Sequence, residues 1–201
     1  MGTKSLFALD NLWDGLGALI HSNKNARYFV GKVTIYKEYP TVARELIYEY
    51  MFRYFPDADQ LITPKLPIVV SSKTKKAAQK LFTGKDASSD YKALQKAVRN
   101  EGDSIPPLFN AYIGLSDTMR MFGSMIDHDF SSTFETGIMV TMADLLETKK
   151  KRYIEPYIEY LKIVIEERKK AKKLAKEQRE ARSLERKKKK EEKKATKKRD
   201  K

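Results

Sequence analysis

Apolar residues recur three or four apart at Leu6, Leu9, Leu12, Trp13, Leu16 and Ile20, a spacing that predicts an amphipathic helix near the start of the chain. Ser5 stands where an N-cap belongs. Gly15 and Gly17 lower the helix propensity of this stretch and imply close packing or backbone approach there. A polar turn follows from His21 to Asn25. Arg27 to Tyr36 (RYFVGKVTIY) is then rich in β-branched and aromatic residues and predicts a strand, central in its sheet, with Gly31 in its middle. Pro40 opens a second helix over Thr41 to Tyr54, with apolar positions at Val42, Leu46, Ile47, Tyr50, Met51 and Tyr54.

Residues 56–104 lose this regularity. Pro56, Pro64 and Pro67 mark loops, and Ala77 to Phe82 and Tyr91 to Val98 predict short helices around Gly84-Lys85-Asp86. The stretch reads as an irregular insertion or cap. Ile105-Pro106-Pro107-Leu108 starts a helix reaching about Leu115. Thr118 to Ile126 and Thr136 to Met142 predict two more strands, joined through His128-Asp129-Phe130-Ser131-Ser132. From Tyr153 to Ile165 the helical spacing returns at Ile154, Tyr157, Ile158, Leu161, Val164 and Ile165. Beyond Glu166 the chain is almost wholly Lys, Glu, Arg and Ala, good helix formers that fray toward Lys201 for want of a face to bury. The whole is a mixed α/β chain, helices and three strands without repeats. Three strands make a marginal sheet, so further strands are expected from a partner chain or from a larger protein of which this is the C-terminal part.

Charge divides the chain at Thr148. The 201 residues carry a net charge of +14. Residues 149–201 hold 24 Lys and Arg against 10 Asp and Glu, which accounts for the entire excess and leaves residues 1–148 neutral. Two regions follow: a neutral body, 1–148, and a basic, partly helical tail, 149–201. The tail suits an anionic membrane surface or sequence-independent binding to nucleic acid, and it is also what a solvated charge run looks like. It has no aromatic beyond Tyr160, so stacking on single strands is not encoded. Cys is absent and only His21 and His128 are present, which excludes a disulfide scaffold, a Cys-zinc site and a cysteine nucleophile and disfavours a transition-metal centre. No apolar run approaches the length of a spanning helix, and Asp10 and Asp14 interrupt what would be a signal sequence, so a cytoplasmic protein is expected.

Four segments, SLFALDNLWDGLGALI, RYFVGKVTIY, IPPLFNAYIGLSDTMRMFGSMIDHDF and FETGIMVTMADLL, resemble the GNAT-like N-acyltransferases often called hemolysin-like, which include ornithine-lipid and glycine-lipid synthases. The resemblance runs from about Ser5 to Tyr153. It is carried by Leu12-Trp13-Asp14-Gly15-Leu16 and by Pro106, Pro107, Leu108, Tyr112, Gly123, Asp127 and Phe130. It implies a partial GNAT-like sheet with flanking helices, to which the chain adds its C-terminal basic helix. The implied activity is transfer of a fatty acyl group to the amine of an amino acid in membrane-lipid synthesis. The donor would be the phosphopantetheine thioester of acyl carrier protein, or acyl-CoA, with no tightly bound cofactor. It also implies that this chain is the C-terminal half of the enzyme. The family's glutamate, arginine and serine cluster would lie on a strand upstream of Ser5, supplied by an N-terminal half-enzyme or by a second copy completing the sheet. A lipid product and a basic tail together suggest peripheral attachment to the inner face of the membrane.

Two places carry candidate chemistry. Gly2-Thr3-Lys4-Ser5 opens the first helix, where free N–H groups and the helix dipole favour an anion. In GNAT-like folds such a loop receives the donor's pyrophosphate or phosphopantetheine, making Gly2, Lys4 and Ser5 the donor-binding candidates; the plainer reading is an ordinary helix cap. Asp127, His128, Asp129 and Glu135 form the densest ionisable cluster of the body. Asp127 and Asp129 would share a side if the strand continued, and would then serve as general base or amine-positioning pair. Against that stands a hairpin turn whose Asp side chains satisfy backbone N–H groups. Trp13, Tyr28, Phe29, Tyr112 and Phe122 would line an acyl tunnel or simply fill the core. Tyr36, Tyr39, Tyr48, Tyr50 and Tyr54 are expected as an exposed aromatic surface that a missing half would cover.

Overall fold

The computed structural model describes residues 3–199, with side chains described from 12 to 183. Along the chain run α1 (Thr3–Ser22), β1 (Tyr28–Ile35), α2 (Thr41–Tyr54), α3 (Ser72–Leu81), α4 (Ala87–Asn100), α5 (Pro107–Ile113), β2 (Arg120–Asp127), β3 (Thr133–Thr141), one 3₁₀ turn (Met142–Asp144), α6 (Glu147–Tyr153) and α7 (Glu155–Arg199). The fold is mixed α/β: a three-stranded sheet with flanking helices and a C-terminal basic helix. The chain divides into two compact units, Met1–Ser22 with Lys151–Lys201, and Asn23–Lys150.

In the second unit the strand order is β1-β3-β2, antiparallel throughout. β1 is therefore an edge strand and β3 the central one, which corrects the expectation of a central β1. The residues of β1 report the same thing: Tyr28 and Val30 are 56% and 57% exposed, and only Val33 and Ile35 of this strand are buried. The two sheet edges differ. Along β2 the backbone is occupied, because Met121 N–H donates to Phe55 O at 2.8 Å and Ser124 O accepts from Ile68 N–H at 2.9 Å. Pro56 and Pro67 bridge to Met121 and Met125 there, and prolines at such positions block further pairing. Along β1 no other described strand pairs at the outer edge. β2 also carries a bulge between Met121 and Gly123. Gly123 sits at φ 95°, where a side chain is strained, and Pro64 lies 3.1 Å from where its Cβ would stand.

One sheet face is covered by α2. Its Ala43, Ile47, Tyr48 and Met51 are buried, as are Val33, Ile35 and Ile138 of the sheet. The Arg44 guanidinium lies 3.5 Å from the ring centre of Phe134 on that face. Each such apolar side chain contributes roughly 1.5–3 kcal/mol by leaving water. Within residues 56–104 the two short helices expected around Gly84 are α3 and α4, each starting four or five residues earlier than the spacing marked and both packed against α2. Ser71 and Asp86 cap them, accepting from Thr74 N–H and Ser89 N–H. Ala78, Phe82, Leu94 and Val98 are buried and extend the core. That core also takes the aromatics expected at the surface. Tyr48 and Tyr50 are 1% exposed, Tyr54 bonds Asp90, and Tyr39 donates to Ser104 O at 2.9 Å; of the five only Tyr36 lies open.

In the first unit α1 packs on α7. Trp13 is buried with its ring 6.0 Å from that of Tyr153, and His21 meets Tyr157 edge-on at 6.0 Å. Helical backbone is already present at Thr3, so Ser5 lies inside the first turn and not at the cap. From Glu166 to Ser183 every side chain of α7 is exposed. Among the described residues no helix is long and apolar enough to cross a membrane.

Candidate active site

β1, the end of β2, β3 and the turn between them bring six side chains together at the sheet face opposite α2: Lys32, Thr34, Asp127, Phe130, Thr133 and Glu135. Alternation along the strands puts Lys32 and Thr34 of β1 on one side, and the register places Thr34 directly across from Glu135 and Lys32 across from Gly137. Phe122 fills the space over Gly137, and the ammonium of Lys32 reaches the other way, toward the β2–β3 hairpin. It lies 3.6 Å from Glu135 Oε1 and 3.6 Å from Asp127 Oδ2, and 5.7 Å from the ring centre of Phe130.

Glu135 is the inner member of the group. Its side chain is 7% exposed, and burying a carboxylate is costly unless donors surround it. Thr34 Oγ1 is 2.9 Å from both carboxylate oxygens, and Thr133 Oγ1 is 3.1 Å from Oε1. Thr133 has one proton to give and a second acceptor, Phe130 O, at 2.9 Å. Lys32 supplies the opposing charge from the solvent side, where 60% of its side chain remains exposed.

The two candidate aspartates are placed differently. β2 ends at Asp127, so strand alternation does not carry on to Asp129. Asp127 Oδ1 accepts from the N–H groups of Asp129 and Phe130, both at 3.1 Å, which is the turn-capping arrangement. Its other oxygen faces Lys32. Asp129 and His128 are exposed in the turn itself. Ser131 and Ser132 adopt φ of 54° and 52°, the left-handed region, so this hairpin holds its tight course against local preference. The structure thus joins Asp127 and Glu135 through Lys32, a residue that sequence reasoning passed over. A lone lysine in an otherwise apolar strand was the available signal.

Gly2 lies outside the described residues. Lys4 and Ser5 are in the first turn of α1, and their side chains also lie outside the described ones. The aromatic candidates scatter: Trp13 and Phe122 are buried, Phe29 and Tyr112 half-buried, and Tyr28 exposed. Phe122 packs on the bare backbone of Gly137, 3.3 Å from where a Cβ would stand.

The other ionisable clusters of this unit hold the fold together. Burial pushes the Asp90 carboxyl up, but hydrogen bonds from Tyr54, Gly84 and Thr83 outweigh it and hold it at about 2. Burial likewise acts against the Glu45 carboxylate, and donors from Thr74 and Ser71 together with the Arg44 charge bring it below its ordinary value. Arg44, 6% exposed with its Nε unpartnered, is lowered by burial. Among the described residues no three His, Asp or Glu side chains gather as metal ligands.

No family model matches the chain, and no solved structure matches it. Curated proteins do. A glycine N(alpha)-acyltransferase of Phocaeicola vulgatus is 46% identical over 157 residues, 78% of this chain and 48% of the relative. The protein of the same name from Bacteroides thetaiotaomicron is 44% identical over 158 residues, 79% of this chain and 47% of the relative. The chain spans about half the length of the curated relatives it matches. Over nearly four fifths of its length the chain is thus similar to proteins named as acyltransferases.

Proposed function

We propose that this chain forms part of a GNAT-like N-acyltransferase that moves a fatty acyl group from a thioester donor to the amine of an amino acid, the first step toward an amino-acid lipid. The observation that carries the reading is the 44–46% identity to proteins named glycine N(alpha)-acyltransferase, which makes glycine the first acceptor to test. The donor is acyl carrier protein through its phosphopantetheine arm, or acyl-CoA. Gly2, Lys4 and Ser5 are proposed to meet the donor's phosphates at the start of α1. The sequence that the relatives carry beyond the matched half supplies the remainder of the catalytic apparatus.

The chemistry of the Lys32–Asp127–Glu135 cluster supports an amino-acid acceptor. Such a molecule presents an ammonium and a carboxylate a few bonds apart. The ammonium fits between Asp127 and Glu135 in place of the Lys32 Nζ, and Lys32 swings on its flexible stem to meet the carboxylate. The amine reacts only when neutral, so Asp127, the more open of the two carboxylates, receives its proton; Asp129 stands at the solvent side of the same turn for onward release. The nitrogen then attacks the thioester carbonyl. A C–N bond forms, the C–S bond breaks, and the thiol leaves carrying the second amine proton, with backbone N–H groups stabilising the oxyanion. The site works peripherally at a membrane, where the acylated product partitions.

The test is transfer of a labelled acyl group from acyl carrier protein or acyl-CoA to a panel of amino acids, with this chain alone and mixed with the remaining half of a relative. Amide product resistant to hydroxylamine, with glycine preferred, is expected. A mixture that binds and folds yet acylates no amine overturns the reading.

A further inference from the structure

After Glu166, α7 sorts its charges by face. At 100° per residue, Arg168, Lys172, Lys176 and Arg179 fall on one side at spacings of four, four and three, with Lys169 and Arg182 at its margins. No acidic residue between Glu166 and Ser183 falls among them. Glu166, Glu167 and Glu177 lie on the other side, together with Lys170 and Lys173, and Glu180 stands at the border next to Lys169. The cationic side is the direct continuation of the stripe Tyr157, Ile158, Leu161 and Val164, the half-buried side of α7 where His21 of α1 meets Tyr157. One helical face thus changes from apolar to cationic past Ile165, and none of the cationic side chains is covered.

This arrangement is not what helix stability alone selects. Arg168, Lys172 and Lys176 are like charges four apart, which repel. The ion pairs that do form, Lys173 with Glu177 at 4.0 Å and Lys176 with Glu180 at 3.8 Å, run on the acidic side or across its border. A face of six cations uninterrupted by an acid matches a surface of opposite charge. One exposed apolar side chain accompanies it, Ile165 at 50% on the same face, while Tyr160, Ile163 and Leu174 are exposed on the other side of the helix. An exposed Ile gains nothing on a phosphate backbone but enters the boundary of a bilayer, while Lys and Arg stems reach up to headgroups. The face carries no aromatic for stacking on bases.

We infer that the Arg168–Lys172–Lys176–Arg179 face of α7 is a docking surface for an anionic phospholipid bilayer. The inference does not rest on the acyltransferase reading, and its test does not measure acyl transfer. Full-length protein is sedimented with phosphatidylglycerol-rich and with phosphatidylcholine vesicles at about 0.1 M salt, where screening is moderate. Two variants remove the same charge from different faces: Lys172→Gln with Lys176→Gln and Arg179→Gln, and Lys162→Gln with Lys170→Gln and Lys173→Gln. Gln keeps the helix propensity, and all six positions are exposed, so both variants fold. The first is expected to lower the partition coefficient on anionic vesicles by at least about tenfold, and the second by less than about threefold. Equal losses, equal binding to phosphatidylcholine, or tighter face-dependent binding to duplex DNA or RNA at the same salt overturns the inference.

Discussion

Thr34 and Glu135 face each other directly across the β1–β3 ladder, and the one threonine hydroxyl lies 2.9 Å from both carboxylate oxygens. A strand that is otherwise half open to solvent therefore contributes the donor that makes a buried carboxylate tolerable on the neighbouring strand. Thr34→Val keeps the shape and removes the hydroxyl. It leaves Glu135 with Thr133, whose single proton Phe130 O also claims. The expected cost is about 1–3 kcal/mol of stability, the penalty for an under-satisfied buried group. Glu135→Gln in the same background, which removes the charge, should recover part of that loss in urea unfolding.

Lys32 contributes to the same cluster in the opposite sense. With its side chain 60% exposed, its two ion pairs at 3.6 Å stabilise the fold by no more than about 1 kcal/mol. Lys32→Ala should accordingly leave the unfolding midpoint nearly unchanged. If Lys32 receives the acceptor's carboxylate, the same variant raises KM for the amino acid by about tenfold or more while kcat changes little. Lys32→Arg, which restores the charge, should recover much of the loss. A parallel fall in kcat with KM unmoved would instead mean that Lys32 acts only on its carboxylate neighbours.

Asp90 sets an acid limit on stability. Its oxygens accept from Thr83 N–H at 2.8 Å, Gly84 N–H at 2.9 Å, the Thr83 hydroxyl at 3.1 Å and the Tyr54 hydroxyl at 2.5 Å. The folded-state value of about 2 lies below the ordinary 3.8. A group whose pKa is depressed by folding stabilises at every pH above its unfolded value and loses that contribution as pH falls toward its folded one. Unfolding should therefore become easier between about pH 4 and pH 2. Asp90→Asn should lower Tm at neutral pH by on the order of 5 °C and flatten this acid limb, as a pH series of thermal melts would read.

What could be read from the residues differs by element, for physical reasons. Helix α2 and strand β1 stand within a residue or two of their expected bounds, because Pro40 and the apolar spacing mark the one and a β-branched, aromatic run the other. The position of β1 at the edge was not legible, since a strand's composition reports burial and not its pairing partners. Helices α3 and α4 were legible only as short pieces, Ala77 to Phe82 and Tyr91 to Val98, because a few side chains such as Ala78, Leu94 and Val98 seat them on α2 while their first turns and other faces stay polar. Tyr48 and Tyr50 read as surplus aromatics until α4 and Phe82 closed over Tyr50, whose ring meets Tyr91 at 5.5 Å and Phe82 at 5.8 Å. In the candidate site, Asp127 and Glu135 were legible as charges at a hairpin, whereas Lys32 came into play only through a register that pairs it with Gly137. The tail's net charge was plain, but its segregation by face becomes visible only once α7 is known to run unbroken past Glu166.

Two glycines of α1, two residues apart, should respond oppositely to the same change. A Cβ at Gly15 meets nothing within 4 Å, so Gly15→Ala gains helix propensity alone and should stabilise by about 0.5–1 kcal/mol. At Gly17 a Cβ would overlap the carbonyl of Tyr153, a backbone group that cannot rotate away as a flexible side chain would. The same propensity gain is then set against overpacking of about 1–3 kcal/mol, and the second term wins. Gly17→Ala should lower the melting temperature and separate the Trp13 ring from Tyr153, now 6.0 Å apart. Trp13 is the chain's single tryptophan, so its fluorescence reads that separation directly. A red shift in Gly17→Ala and none in Gly15→Ala is the expected pattern. Equal stabilisation of both variants would mean that α1 does not pack this closely on Tyr153.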